Sequence, residues 1–325
     1  MHEGMLLPAD RISADRETIL SIIDNIETVI VGKRATVELV VLTLLAEGHV
    51  LIEDVPGVGK TSLVSTLARS IHCGHKRIQV TPDVMPSDVT GFSIFNQKTG
   101  EFEFREGSAM SNIVLADEIN RASAKTQSAL LEIMEERQAT VDSHTYKMER
   151  PYMVLATQNP IESLGTYKLP EAQIDRFMVK VSLGYPEYKD EIRILRAVEN
   201  AKQNLSCAAD RDTVCRLIED ARLVTVSDLV AAYIVSIVAA TRHHSDIRLG
   251  SSPRGSLALQ SICRVYALLQ GRGYVIPDDV KYLAPYVLAH RIHLTNAARN
   301  EKRTAEEIIG EIIQNIIVPI GTAEG

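Results

Sequence analysis

Apolar residues near the start of the chain fall at Ile19, Ile22, Ile23 and Ile26, the i, i+3, i+4, i+7 spacing of one helix face. Ser13 can cap this helix, and its end is expected at Val29-Ile30-Val31-Gly32. Val37, Val40, Val41, Leu44 and Leu45 predict a second helix over about residues 34–47. The pattern then changes to short apolar runs at residues 49–52, 77–81, 112–116, 152–157 and 178–182, which read as strands. Helical patterns separate most of these runs, the clearest at 60–72 and 123–136. Alternating strands and helices predict a parallel sheet covered on both faces. Two stretches break the alternation with hairpin patterns: residues 91–104 turning at 96–100, and 138–147 turning at 142–144.

Beyond Tyr185-Pro186 the strand signals fade. Helical patterns follow at residues 187–202, 210–223, 228–243, 253–270, 277–290 and 304–317, with start signals at Ser227, Ser252 and Ile276-Pro277. The reading is an α/β region over residues 1–186 and a helical region over 187–325. The isoleucine pairs 308/309, 312/313 and 316/317 form one apolar stripe, expected to pack internally. His290 and His293 are expected to share a surface helix face.

Composition narrows the class. The 325 residues are 45% hydrophobic and 24% charged, in the range of a folded globular chain. A net charge of −7 disfavours a nucleic-acid grip, which needs a clustered basic face. No secretory leader is read at the N-terminus, because Glu3 and Asp10 interrupt it. The longest apolar run, residues 229–240, is about 12 long where a spanning helix needs about 20, so no stable membrane insertion is expected. Four cysteines without CxxC spacing fit reduced thiols and a cytoplasmic protein. His72-Cys73-Gly74-His75 lacks a fourth ligand and is not read as a metal site.

The chemistry begins at DVPGVGKT, residues 54–61, between a strand and a helix. Glycines at 57 and 59 let backbone N–H groups of Gly57–Ser62 face an anion, and the following helix points its positive end there. Lys60 can reach the β- and γ-phosphates of a nucleotide, and the Thr61 hydroxyl can ligate Mg²⁺. The first position of G-x-x-x-x-G-K-[ST] is Asp54 here instead of glycine. A second apolar strand ends at Asp117-Glu118. Asp117 suits a metal ion, and Glu118 suits polarising a water for attack on a phosphoanhydride. A third strand ends at Asn159, whose neutral amide can orient that water. Arg176 precedes the last strand, and Arg254 stands in the first turn of the helix capped by Ser252, with Pro253 at its first position. A lone arginine usually makes a surface ion pair; beside the other motifs, these two read as anion contacts.

Taken together, these stretches resemble the AAA+ ATPases of the MoxR family. LADEINRA at 115–122, ATQNP at 156–160 and LPEAQIDRF at 169–177, followed by SPR at 252–254, are specific in combination, and the likeness runs over about residues 19–320. The resemblance implies a P-loop NTPase core with a five-stranded parallel sheet, two inserted β-hairpins and a smaller all-helical lid domain. It implies ATP and Mg²⁺ as ligands and a base-binding box that includes Val31 and Gly32. Pro56, Gly57, Val58, Gly59, Lys60, Thr61, Ser62, Asp117 and Arg254 would bind the nucleotide. Thr61 and Asp117 would hold the metal. Glu118 would be the catalytic base, Asn159 a first sensor, Arg176 a finger reaching a neighbouring subunit, and Arg254 a second sensor on the lid. It also implies a ring, usually a hexamer, chaperone-like remodelling in complex maturation or in metal or cofactor insertion, and a separate von Willebrand A domain partner. The client is not written in the chain. A P-loop kinase, a nucleotide-gated scaffold and a DNA-directed motor are the competing readings.

Overall fold

A computed structural model describes residues 7–159, 167, 169–197 and 206–318. Helix α1 (Ala9–Glu27) buries Ile19, Ile22, Ile23 and Ile26 and begins behind Pro8, upstream of the Ser13 cap. Helix α2 (Arg34–Leu45) follows and is buried along most of its length. Strand β1 (Val50–Glu53) feeds the 54–59 loop, and α3 (Lys60–Ser70) leaves it. Strand β2 (His75–Gln79) begins two residues before the expected start, and a short α4 (Pro86–Thr90) follows it. Strands β3 (Gly91–Asn96) and β4 (Glu101–Glu106) then form the first hairpin.

Strand β5 (Ile113–Asp117) leads through a 3₁₀ turn at Ile119–Arg121 to α5 (Ala124–Glu136), capped by the Ser123 hydroxyl. Strands β6 (Gln138–Val141) and β7 (His144–Lys147) make the second hairpin. Strand β8 (Met153–Gln158), the short α6 (Glu171–Ile174) and strand β9 (Val179–Val181) complete the α/β part.

The five strands align in the order β2-β5-β8-β1-β9, every neighbouring pair parallel. The inner strands carry the apolar runs VLIE, IVLAD and MVLATQ, because parallel strands covered on both faces need apolar side chains on both. Edge strand β2 instead carries Lys76 and Arg77, which blunt it against pairing with another chain. Register brings the carboxyl ends level: Glu53 lies beside Gln158, and Gln79 beside Asp117. Loop residues 54–62, Asp117-Glu118 and Asn159 therefore emerge along one edge of the sheet, where ligands of open α/β sheets bind.

Among the described residues the rest is helical apart from one two-stranded antiparallel pair and an isolated bridge between Thr225 and Tyr274. It comprises α7 (Tyr188–Ala197), α8 (Arg211–Leu223), α9 (Asp228–Thr241), β10 (Ile247–Leu249), α10 (Pro253–Leu269), α11 (Pro277–Leu288), β11 (His293–Leu294), α12 (Asn296–Asn300) and α13 (Ala305–Asn315). Residues 198–202 of the helix expected over 187–202 lie outside the described residues. Ser227 and Ser252 accept N-cap bonds from Val230 and Arg254 N–H groups, as their positions predict. One buried apolar cluster runs from α1, α2 and one sheet face into α8–α11, and includes Ile308, Ile309 and Ile312 of the stripe. A second cluster fills the other sheet face beneath α5. No helix among the described residues is long and apolar enough to cross a membrane.

His290 corrects the sequence reading. Helix α11 ends at Leu288, and a 3₁₀ turn at Ala289–Arg291 folds His290 inward, leaving it 7% exposed. Its Nε2 lies 3.0 Å from the Phe177 carbonyl, and burial holds its pKa well below the ordinary histidine value.

Candidate nucleotide site

The 54–62 loop curls on two residues with φ in the left-handed region, Gly57 at +87° and Gly59 at +94°. No neighbouring atom lies within 4 Å of a Cβ built at either position. Conformation, and not crowding, is what calls for glycine there. The Lys60 ammonium donates to the Asp54 carbonyl at 3.0 Å, which ties the two ends of the loop together.

Asp54 explains its own departure from the glycine pattern. The residue is 5% exposed, and its carboxylate points away from the loop. It accepts from the Ser182 hydroxyl at 2.8 Å and from the N–H groups of Leu183 at 2.5 Å and Gly184 at 3.0 Å. The start of the loop is thereby fastened to the chain leaving β9.

Two adjoining cavities share Gly57, Gly59 and Ser62. The larger, about 630 Å³, is mostly apolar and is lined by Val29, Ile30, Val31, Val58, Tyr185, Pro186, Ile194 and Leu195. Gly32 adjoins it at φ +74°, where an added Cβ would stand 2.0 Å from an Asp190 carboxylate oxygen. The smaller, about 290 Å³, is polar and brings together Pro56, Lys60, Thr61, Asp117, Glu118 and Asn159 with two residues of β2, Arg77 and Gln79. The apolar chamber offers surface suited to a base and sugar, and the polar one offers loop N–H groups and the Lys60 ammonium suited to phosphates.

The acidic pair is held by a residue the sequence reading did not single out. The Thr157 hydroxyl donates to Asp117 Oδ1 at 2.7 Å and accepts from the Glu118 N–H at 2.8 Å. Glu118 takes a left-handed φ of +61°, uncommon for a side-chain-bearing residue, and so turns its carboxylate off the strand line. It pairs with Arg121 at 3.0 Å. Thr61 and Asp117 offer hard oxygen donors in one cavity, and no cluster of three histidine, cysteine or acidic ligands occurs among the described residues. That donor set fits Mg²⁺, which binds through one or two protein oxygens together with substrate phosphates.

Arg176 and Arg254 lie elsewhere. Both line a third cavity of about 490 Å³, with Glu135, Arg137, Asp175 and Arg291, that contains no residue of the phosphate loop. Their guanidiniums converge on one carboxylate: Arg176 Nε is 2.9 Å from Glu135 Oε2, and Arg254 pairs with Glu135 Oε1. Beneath them Asp175 accepts from the Ser252 hydroxyl at 2.8 Å and from Arg291 Nε at 2.9 Å. Arg291 also donates to the carbonyls of Asp175 at 3.1 Å, Phe177 at 2.7 Å and Met178 at 3.0 Å. Burial pulls the Arg291 pKa down to about 10, opposed by Asp175. Arg254 therefore stands beside Arg176 and apart from the residues of the polar cavity. Its place depends on how the helical region packs, which the cap motif does not encode.

The parallel sheet, the glycine loop and the acidic strand end define an AAA+ P-loop ATPase. Residues 49–179 match the family model described as ATPase family associated with various cellular activities (AAA), and residues 239–312 match the AAA lid domain. The chain is 51% identical to Uncharacterized protein YeaC of Bacillus subtilis over 92% of this chain and 94% of that protein. It is 41% identical to Chaperone MoxR1 of Mycobacterium tuberculosis over 98% of this chain and 87% of that one. A crystal structure from Cytophaga hutchinsonii superposes with a TM-score of 0.89 at 38% identity, covering 96% of this chain and 98% of that one. The chain belongs to the MoxR family of AAA+ ATPases.

Proposed function

We propose that the chain binds ATP with Mg²⁺ across the two adjoining cavities and hydrolyses it, and that an adjacent copy completes the site. The observation that carries this is the gathering of Lys60, Thr61, Asp117, Glu118 and Asn159 in one polar cavity beside an apolar chamber. Backbone N–H groups of the loop and the Lys60 ammonium would hold the phosphates. Thr61 and Asp117 would hold the metal ion, which when bound would neutralise phosphate charge. Glu118 would take a proton from the attacking water, and the Asn159 amide would orient that water.

Arg176 and Arg254 share a face outside this cavity, which suits both to a nucleotide on a neighbouring copy. This assigns Arg254 in trans, beside the finger. A ring, usually of six copies, follows as part of the same proposal. The work done would be chaperone-like remodelling in complex maturation or in metal or cofactor insertion, with a separate von Willebrand A domain protein as partner. The β3–β4 hairpin supports a protein-contacting role, since Phe95 and Phe102 stand 51% and 74% exposed on it.

The deciding experiment is phosphate release by the wild type and Glu118→Gln with ATP, Mg²⁺ and no other acceptor. Glu118→Gln should keep nucleotide affinity and lose turnover about a hundredfold or more. A variant that turns over like wild type removes Glu118 as the base, and a wild type that releases no phosphate removes hydrolysis.

A further inference from the structure

Strand β2 forms the charged edge of the sheet, yet it delivers a cation to the phosphate cavity. Arg77 and Gln79 are two residues apart and so share one face of β2. Arg77 Nη2 donates to Asp117 Oδ2 at 2.6 Å and to Gln79 Oε1 at 2.5 Å. The other Asp117 oxygen accepts from Thr157 at 2.7 Å. Both oxygens of the carboxylate assigned to the metal are therefore engaged by protein donors, one of them a permanent positive charge.

An ordinary surface ion pair is the plainer reading, since the Arg77 side chain is 47% exposed. Such a pair adds little to folding. Its position gives it a different target. Arg77 lines the cavity that holds Lys60, Thr61 and Glu118, so its charge falls on whatever anion enters. A guanidinium does not lose its proton at accessible pH. A divalent cation held by Asp117 would compete with this guanidinium for the same carboxylate. Gln79 already accepts from the same nitrogen and can keep the side chain on β2 once Asp117 releases it.

We propose that Arg77 is a resident counter-cation of Asp117 that sets how strongly nucleotide binding depends on Mg²⁺. This rests on the nucleotide reading above. With Arg77 present, metal-free nucleotide retains part of its charge compensation, and the ion adds less than it otherwise would. Without Arg77, metal-free nucleotide loses that compensation, while the metal complex gains an Asp117 free of competition. By linkage, the ratio of metal-free to metal-bound dissociation constants must rise.

The test measures binding of a non-hydrolysable ATP analogue to the full chain, once with excess EDTA and once with Mg²⁺. Wild type, Arg77→Gln and Arg77→Lys are compared. The ratio should rise about fivefold or more in Arg77→Gln and stay near the wild-type value in Arg77→Lys, which keeps the charge. A ratio unchanged in Arg77→Gln overturns the proposal, whether both affinities hold (a surface pair) or fall together (a plain phosphate contact). A wild type that binds the analogue in neither condition overturns the nucleotide reading itself, an outcome distinct from an unchanged ratio.

Discussion

Asp54 acts in two directions. Its carbonyl anchors Lys60, a task any residue could perform, while its buried carboxylate collects three donors from the segment leaving β9. Glycine would serve the loop and leave those donors without their partner. Asp54→Ala should therefore lower unfolding stability by about 1–3 kcal/mol, read from urea denaturation, and weaken nucleotide binding as the loop loses its tether. Unchanged stability would mean that water replaces the carboxylate without cost. The DVPGVGKT motif was legible because glycine and lysine spacing encodes local backbone shape. The use of Asp54 was not, since Ser182–Gly184 lie some 130 positions further along the chain.

Among elements, the junction of α6, the N-terminus of α10 and the 3₁₀ turn after α11 fixes where the two arginines stand. Asp175 closes it, receiving Ser252 from one side and Arg291 from the other. The Arg291 side chain is 2% exposed and Asp175 is its only carboxylate partner among the ion pairs described. Asp175→Ala would leave a buried charge uncompensated, with an expected loss of about 3 kcal/mol or more, softened by the carbonyls that Arg291 also meets. Chemical unfolding checks the magnitude, and a loss under about 0.5 kcal/mol, the scatter of ordinary surface changes, would show that those carbonyls suffice. The helix of Arg254 could be read from Ser252-Pro253. Its direction could not, because a cap fixes where a helix starts and tertiary packing fixes where it points. Arg77 was not legible for a related reason: on a polar edge strand, a functional cation and a solvated one look alike.

At the scale of the whole molecule, the polar cavity and the arginine face are separate surfaces. If each serves the other on adjacent copies, Arg176→Ala and Arg254→Ala should each lose about 10³-fold in turnover. Each should then recover a measurable part on mixing with a Lys60→Ala chain, because the mixed interface contains one intact half from each. Rescue of Arg176→Ala alone would return Arg254 to its own chain; rescue of neither would count against action between copies. The strand–helix alternation made the sheet and the helical region readable from apolar spacing. The inward fold of His290 and the β10–β11 pair were not, since each depends on contacts between distant segments.

Glu135 receives one guanidinium from the α/β part and one from the helical part. In the assembly proposed here, a copy whose two parts shift against each other would split that pair and fail the copy beside it. Each member would thus inspect the posture of the next, and the ensemble would run like lamps wired in series, where one misaligned link darkens its neighbour before any chemistry begins.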